Sequence, residues 1–252
     1  MLAYEIEGRG PGLLMIHGFG ISYNIWRELR PLLREYFTLI MVALPGIDGS
    51  PAPVPGGDYL DAAAKALLQV RESLGIDSWR VLSYSSGTRA AERYLALDGE
   101  HVAMAAFLCP VRTSVSAARA LQAAIYCDRK FPQIGNWVLS GWRFLFLLNL
   151  FGFNLKGGPN LKAWYEEITS QPVDILKETL GSIPDGGQTE FRIPAGLRHL
   201  FVWGSEDLIT ASPRLALGNN RLIHANHSAP QTAAREVAEI IIPFFRDGGV
   251  SE

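Results

Sequence analysis

Residues 81–95 read VLSYSSGTRAAERYL, which divides into a short apolar strand, a turn of small residues and a helix. The apolar positions of the last part recur every three or four residues, as they do on one face of a helix. The strand and the helix nearly abut, so the turn between them is strained and pushes one side chain outward. The stretch therefore has the pattern of a nucleophile elbow. A serine-rich turn that caps a helix would use the same residue types.

The serine at the centre of this turn is predicted from the size of its neighbours. Ser85 has Ser83 two positions before it and Gly87 two positions after it, and both are small. Ser86 is the alternative, but its corresponding neighbours are a tyrosine and a threonine, which would crowd the turn. The usual form of the motif is G-x-S-x-G, so Ser83 departs from it at the first glycine. We predict that Ser85 is the nucleophile.

The elements around the elbow are predicted from apolar runs, which indicate buried strands, and from one alternating run, which indicates a half-exposed strand. These runs lie at residues 4–7, 13–16, 38–43, 102–108, 197–204 and 220–224. Helical patterns separate most of them, including one from about Ser22 through Leu33 and a last one from about Pro230 to Phe245. The alternation predicts an α/β fold with a doubly wound, mostly parallel sheet.

The pattern changes between residues 111 and 192, where helix-like pieces separated by glycine and proline replace the buried strands. We therefore expect a core formed by residues 1–110 and 193–252, with a helical cap, or lid, inserted at residues 111–192. A chain of 252 residues with 48% hydrophobic residues is large enough to bury one sizeable core.

The predicted cap carries more large aromatic side chains than a small helical insertion needs for its own packing. Trp137, Trp142 and Phe146 are our candidates for lining an apolar substrate pocket. A membrane surface is the alternative partner for the apolar stretch at residues 137–151. That stretch contains an arginine and an asparagine and is shorter than the ~20 residues of a bilayer span, so we expect no stable membrane insertion.

Candidate reactive residues follow three of the predicted strands. In a parallel sheet such groups collect at the carboxyl ends of the strands, where we place Ser85, Asp207 and His227. Glu206 adjoins Asp207 and is an alternative acid, and His224 is an alternative base. We prefer His227 because His224 ends an apolar strand.

The chain order Ser, Asp, His, the elbow, and the loop His17-Gly18-Phe19-Gly20 make the chain resemble the α/β-hydrolase superfamily. Many members of that superfamily carry a helical cap. Further matches are the sequence LPG at residues 44–46 and the Trp-Gly pair three residues before Asp207, which favours Asp207 over Glu206. The resemblance extends over nearly the whole chain.

The resemblance implies a serine hydrolase with a catalytic triad and no cofactor. In such an enzyme His227 takes the proton of Ser85, while Asp207 holds the imidazole in the required tautomer. The backbone N–H groups of Phe19 and Ser86 would bind the substrate oxyanion. A serine at the nucleophile position argues against the haloalkane dehalogenase and epoxide hydrolase branches, which use aspartate there.

Charge and cysteine content exclude several classes of partner. The chain has 23 basic and 25 acidic residues, a net charge of −2, and no dense basic run, so nucleic acid is not expected as a partner. Its two cysteines, Cys109 and Cys127, are far apart and form no paired metal-ligand spacing, so we expect no metal site and no disulfide. The N-terminus lacks the order of a signal peptide, which predicts a cytoplasmic protein.

The predicted function is therefore hydrolysis of an ester or related acyl bond in a small to medium apolar substrate. Hydrolysis of a carbon–carbon bond in a diketone-like metabolite would use the same triad and is one alternative. A weakly catalytic ligand-binding or sensing protein on the same fold is another. The sequence does not distinguish a monomer from a homodimer.

Overall fold

The structure is a computed structural model that describes residues 1–111, 115–141, 143–144, 146, 165–167, 169–183, 191–210 and 218–247. Its strands are β1 (Tyr4–Gly8), β2 (Gly12–Ile16), β3 (Thr38–Val42), β4 (Trp79–Tyr84), β5 (Val102–Leu108), β6 (Arg198–Gly204) and β7 (Asn220–Ile223). Within the described chain they form one sheet of seven strands in the order β1-β3-β2-β4-β5-β6-β7. β1 is antiparallel to β3, and the other pairs are parallel. The predicted α/β fold with a mostly parallel sheet is confirmed.

Helices cover both faces of this sheet. The α-helices among the described residues are α1 (Arg30–Leu33), α2 (Tyr59–Ser73), α3 (Gly87–Asp98), α4 (Val115–Lys130), α5 (Pro132–Val138), α6 (Val173–Ser182), α7 (Ala229–Thr232) and α8 (Ala234–Asp247). The long helix predicted from about Ser22 to Leu33 is wrong: a 3-10 helix at Tyr23–Trp26 precedes the short α1. Pro31 lies in the first turn of α1, where its missing N–H is tolerated, and it could not sit inside a longer helix without cost.

The core consists of two layers, one on each face of the sheet. Along β2, Leu13 and Met15 face one layer, and Leu14 and Ile16 face the other. All four side chains are fully buried, which explains why the strand is continuously apolar rather than alternating. The first layer packs against α8, and the second packs against α2 and α3.

The segment between β5 and β6 contains α4, α5 and α6, and its described residues include no strand. Lys177 of α6 forms a salt bridge with Asp128 of α4 at 2.8 Å, which joins two of these helices. The division into a core (residues 1–110 and 193–252) and a cap (residues 111–192) remains a prediction. Within the described chain, no helix has both the length and the apolar content needed to cross a membrane.

A buried polar network holds the end of α3 against α2 and β4. Arg71 donates to Asp98 through Nε at 2.6 Å and Nη2 at 3.2 Å, and Tyr94 donates its hydroxyl to Asp98 at 2.7 Å. Trp79 donates to the Tyr94 oxygen at 3.0 Å. Burial alone would raise the pKa of Asp98, but the hydrogen bonds from Arg71, Tyr94 and His101 outweigh burial and lower it. The network fixes the helix that begins at the elbow.

We expect Asp98→Ala to lower the free energy of unfolding by about 3–5 kcal/mol, because it leaves the Arg71 charge buried without its partner. The matched control is Asp61→Ala, whose partner Arg93 lies 3.0 Å away with both side chains nearly half exposed. That control should lower the free energy of unfolding by less than about 1 kcal/mol. Urea denaturation measures both values, and equal costs would contradict the structural role given to Asp98.

Candidate active site

The turn between β4 and α3 has the backbone conformation that its sequence predicts. Ser85 lies between the last residue of β4 and the first of α3, with φ at 52°, in the left-handed region that non-glycine residues rarely adopt. Its N–H donates to the Leu108 carbonyl of β5 at 3.0 Å, and the Thr88 hydroxyl donates to its carbonyl at 2.6 Å. These hydrogen bonds hold the strained residue in place.

Close backbone contacts explain why small residues surround Ser85. A Cβ atom on Gly87 would lie 2.1 Å from the carbonyl oxygen of His17, and one on Gly18 would lie 2.7 Å from Ser85 Cβ. Ser83, which replaces the first glycine of the usual motif, is fully buried, and its hydroxyl faces the Ala106 carbonyl at 3.5 Å. The serine therefore fits at this position without opening the turn.

Three side chains form a continuous hydrogen-bonded chain at the carboxyl ends of the strands. Ser85 Oγ lies 2.8 Å from His227 Nε2, and His227 Nδ1 lies 2.8 Å from Asp207 Oδ2. All three residues are buried. An ionised carboxylate can only accept, so Nδ1 carries the proton and Nε2 has a free lone pair for the Ser85 hydroxyl. The structure thus brings together the three residues that were predicted from separate parts of the sequence.

The Asp207 carboxylate is held by its own loop. Oδ1 accepts from the N–H groups of Ile209 at 2.8 Å and Thr210 at 3.2 Å, and Oδ2 accepts from the Thr210 hydroxyl at 2.8 Å. Burial alone would raise the pKa of Asp207, but the hydrogen bonds and the contact with His227 lower it below its ordinary value. Asp207 is therefore ionised at neutral pH.

The alternative residues from the sequence lie elsewhere. His224 Nε2 and Glu206 Oε1 face each other at 3.5 Å on the surface, where both side chains are mostly exposed. Ser86 is buried at the N-cap of α3, and its side chain makes no capping hydrogen bond. The structure brings none of these three side chains into the hydrogen-bonded chain described above.

His17 anchors the glycine loop that precedes the site. Burial lowers the pKa of His17 to about 4, so its ring is neutral at physiological pH. Its Nδ1 donates to the Gly18 carbonyl at 2.8 Å, and its Nε2 accepts from the Leu44 N–H at 2.9 Å. The ring therefore connects the loop after β2 to the loop after β3, and both of its nitrogens are hydrogen-bonded.

The two predicted oxyanion donors flank the Ser85 region. Among the hydrogen bonds between described residues, neither the Phe19 N–H nor the Ser86 N–H has a protein acceptor. Ser86 directly follows Ser85, and Gly18, the residue before Phe19, lies against the Ser85 side chain. Phe19 and Ser86 thus remain the predicted oxyanion donors.

The three aromatic pocket candidates stay a prediction. Trp137 is 61% exposed and Phe146 is 64% exposed, and Trp142 lies outside the described residues. Phe144 is fully buried instead, and its ring meets the Phe19 ring edge to face at 5.8 Å. Helical residues two apart lie about 200° around the axis, so Phe146 points away from the contact that Phe144 makes.

Sequence reasoning did not identify two residues around the triad. The Tyr84 hydroxyl donates to the His227 carbonyl at 2.7 Å, and the two rings lie 5.4 Å apart. The buried thiol of Cys109 lies within 4.8 Å of ligand atoms of Asp207 and His227. Burial raises the pKa of Cys109, so the thiol stays protonated. Tyr84 is the last residue of β4 and Cys109 directly follows β5, so their positions at the carboxyl ends of strands could have indicated them.

The group Cys109, Asp207 and His227 is also the one set of three potential metal ligands among the described residues. Both ring nitrogens of His227 are already hydrogen-bonded, to Ser85 and to Asp207, at 2.8 Å. A metal ion with ligand bonds of about 2.0–2.3 Å would have to break one of these hydrogen bonds. The arrangement therefore fits a proton-transfer chain better than a metal centre.

Comparison with solved structures supports the fold. An esterase from Thermogutta terrifontis has a TM-score of 0.76 at 19% identity, with 98% of this chain and 93% of that chain covered. A meta-cleavage product hydrolase from Pseudomonas fluorescens has a TM-score of 0.75 at 17% identity, with 98% and 95% covered. At these identities the likeness shows the fold alone.

Curated relatives match shorter segments. A fluoroacetate dehalogenase from Burkholderia sp. is 30% identical over 97 residues, which is 37% of this chain and 32% of the relative. A pimeloyl-[acyl-carrier protein] methyl ester esterase from Photobacterium profundum is 38% identical over 45 residues, 18% of each chain. The matched segments thus span about a third or less of these relatives.

The family model of the alpha/beta hydrolase fold matches residues 11–148, which is more than half of the chain. This segment includes the glycine loop, the elbow and the strands that carry them. The resemblance found in the sequence is thereby confirmed, and the chain belongs to the α/β-hydrolase fold family.

Proposed function

We propose that this protein is a serine hydrolase that cleaves an ester or related acyl bond of a small to medium apolar substrate. The observation that supports it most directly is the chain from Ser85 Oγ through His227 to Asp207, with 2.8 Å at both contacts. Together with the left-handed turn at Ser85, this arrangement presents an activated hydroxyl at the carboxyl ends of the strands.

The first chemical step is attack of Ser85 Oγ on the substrate carbonyl carbon. His227 Nε2 takes the hydroxyl proton as the new C–O bond forms, and the carbonyl electron pair moves to the oxygen. The ionised Asp207 stabilises the imidazolium that results. His227 then gives the proton to the leaving alcohol, the old ester bond breaks, and the acyl group remains on Ser85.

In the second step, water attacks the acyl group and Ser85 is the leaving group. His227 takes a proton from the water molecule that attacks the acyl carbon, and it returns the proton to Ser85 Oγ as the acid leaves. In both steps, negative charge develops on the carbonyl oxygen. The N–H groups of Phe19 and Ser86 are our proposed donors to that oxygen, and each such donor contributes about 10²–10³ in turnover.

An apolar substrate is supported by the surroundings of the glycine loop. The buried Phe144 ring packs on Phe19. It also lies against Gly20, because a Cβ atom on Gly20 would be 2.6 Å from Phe144 Cζ. Apolar surface therefore borders the residue that supplies one proposed oxyanion donor. In the family that the chain resembles, dehalogenases and epoxide hydrolases carry aspartate at the nucleophile position. Ser85 at this position therefore favours cleavage of an acyl bond over the reactions of those enzymes.

Labelling with a fluorophosphonate probe tests this proposal. We expect the native protein to form one covalent adduct, Ser85→Ala to abolish it, and Ser86→Ala to retain it. Ser86→Ala is the matched control, because it removes a neighbouring hydroxyl but keeps the backbone N–H. Intact-protein mass spectrometry measures the adduct. A native protein that does not label would overturn the serine hydrolase, and labelling of Ser85→Ala would overturn its nucleophile.

A panel of esters with increasing acyl length then measures the substrate preference. Apolar esters should be cleaved faster than charged ones of the same size. If the protein labels but cleaves no ester, a diketone-like substrate tests the carbon–carbon alternative, which uses the same base. A protein that binds such compounds without turnover would instead be a ligand-binding member of the fold.

The ionised state of Asp207 leads to a pH-dependent prediction. We expect Thr210→Val to lower the free energy of unfolding at pH ~7 by about 1.5–3 kcal/mol, the usual value of a hydrogen bond to a charged group. The pKa of Asp207 is lowered in the folded state, so this stabilisation is present above its ordinary pKa. The stabilisation is lost as the pH falls through the pKa that Asp207 has in the folded protein.

Urea denaturation at neutral and acidic pH measures this difference. Thr38→Val is the matched control, because the Thr38 hydroxyl donates to the neutral Gly10 carbonyl at 2.8 Å. The cost of the control should not change with pH. A Thr210→Val cost that is equal at both pH values would mean that Asp207 is not ionised in the folded protein.

A further inference from the structure

The side chain of Tyr84 connects the strand of the proposed nucleophile to the loop of the proposed base. Tyr84 is the last residue of β4 and directly precedes Ser85. It is fully buried, and its hydroxyl donates to the backbone carbonyl of His227 at 2.7 Å. This hydrogen bond joins residues that lie 143 positions apart in the chain. The strand that ends at Ser85 is therefore bonded directly to the backbone of His227.

The Tyr84 ring is packed between other aromatic groups. Its centre lies 5.4 Å from the centre of the His227 imidazole, with 37° between the two planes. The Trp26 ring meets it edge to face, at 6.1 Å between centres and 72° between planes. Trp26 is itself fully buried. Because protein interiors are close-packed, these contacts restrict the Tyr84 ring and fix the position of its hydroxyl.

The Tyr84 hydroxyl is a hydrogen-bond donor at physiological pH. Burial raises the pKa of Tyr84 well above its ordinary value, and the negative charge of Asp207 adds to this effect. The protonated phenol has one O–H to donate, and a carbonyl oxygen can only accept. The hydrogen bond to the His227 carbonyl is therefore present throughout the neutral pH range.

His227 lies in the loop between β7 and α7, outside the regular structure on either side. The backbone hydrogen bonds of α7 begin at the next residue. The Ser228 carbonyl accepts from the N–H groups of Gln231 at 2.9 Å and Thr232 at 3.0 Å. The Tyr84 hydroxyl thus binds the carbonyl that immediately precedes these helical bonds, at the residue whose side chain is the proposed base.

Proton transfer from Ser85 requires the His227 ring in one place. Nε2 lies 2.8 Å from Ser85 Oγ, and Nδ1 lies 2.8 Å from Asp207 Oδ2. A shift of the His227 backbone by about 1 Å would lengthen at least one of these contacts, and a misplacement of that size can reduce a rate about 10²-fold. The hydrogen bond from Tyr84 opposes such a shift, because it attaches the His227 carbonyl to the strand that ends at Ser85.

We propose that Tyr84 is a positioning residue for the reaction, an inference that rests on the proposed hydrolase function. Its hydroxyl fixes the backbone of His227 relative to Ser85, so the imidazole takes the serine proton without first reorienting. Because the hydroxyl is bonded to the His227 carbonyl, Tyr84 acts through the base, and we assign it no contact with the substrate. The residue before the nucleophile thereby sets the geometry of the base.

Tyr84→Phe tests the proposal, because phenylalanine keeps the aromatic ring and removes only the hydroxyl. We expect kcat for p-nitrophenyl acetate to fall about 10–100-fold, with KM changing by less than about twofold. Acylation and deacylation both depend on His227, so they should slow together. The rate constant of fluorophosphonate labelling should fall by a similar factor, because His227 also takes the Ser85 proton in that reaction.

Tyr94→Phe is the matched control. Tyr94 is also fully buried and also donates its hydroxyl at 2.7 Å, but its acceptor is Asp98, at the end of α3 remote from the elbow. This variant should lower the free energy of unfolding and change kcat by less than about twofold. Urea denaturation measures the stability of both variants and shows that each is folded.

Proton NMR separates this inference from the proposed activity, because it needs no turnover. The His227 Nδ1 proton, which is hydrogen-bonded to Asp207, gives a downfield resonance that is assigned by its loss in His227→Gln. We expect this proton to exchange with water about tenfold faster in Tyr84→Phe, as the loss of one hydrogen bond predicts. In Tyr94→Phe it should exchange at the native rate.

Native values of kcat, labelling and proton exchange in Tyr84→Phe would overturn the positioning role. An equal fall in kcat in Tyr94→Phe would also overturn it, because the loss would then follow from reduced stability alone. If the native protein neither labels nor cleaves esters, the proposed hydrolase fails, and proton exchange still tests Tyr84. Faster exchange in Tyr84→Phe would then support its hold on His227, and native exchange would overturn it.

Discussion

The hydrogen bond between Ser85 Oγ and His227 Nε2 joins residues 142 positions apart in the chain, and the other features of the site depend on it. It forms because parallel strands end at one edge of the sheet, so the loops after β4, β6 and β7 meet there. The strained φ of 52° at Ser85 then turns the hydroxyl toward the imidazole. Hydrogen bonds with Leu108 and Thr88 hold the strained Ser85 in place. Donors from Ile209, Thr210 and His227 hold the buried Asp207 charge.

The fold and the hydrogen-bonded group of Ser85, His227 and Asp207 could be predicted because each depends on a strong local sequence pattern. Buried parallel strands are continuously apolar, and the residues that follow them lie at one edge. The choice between Asp207 and Glu206 was harder, because the two are neighbours in sequence. The structure separates them by what they contact: Asp207 accepts hydrogen bonds from Thr210 and His227, whereas Glu206 faces solvent and His224.

The insertion could not be predicted at the level of side chains. An aromatic-rich helical sequence does not reveal which rings face inward, because that depends on what the helix packs against. Phe144 is buried on Phe19, whereas Trp137 and Phe146 are exposed. The same short segment thus carries one buried ring in contact with the glycine loop and two rings that are mostly exposed.

The central claim is that Ser85, activated by His227, carries the acyl group during turnover. The most direct measurement is peptide mapping by mass spectrometry after acid quenching of the enzyme during its reaction with p-nitrophenyl acetate. Our account predicts an acetyl group on the peptide that contains Ser85, and none on that peptide in His227→Gln. Turnover of the ester at the native rate by Ser85→Ala, or an acetyl group on another residue that forms and decays with turnover, would contradict it.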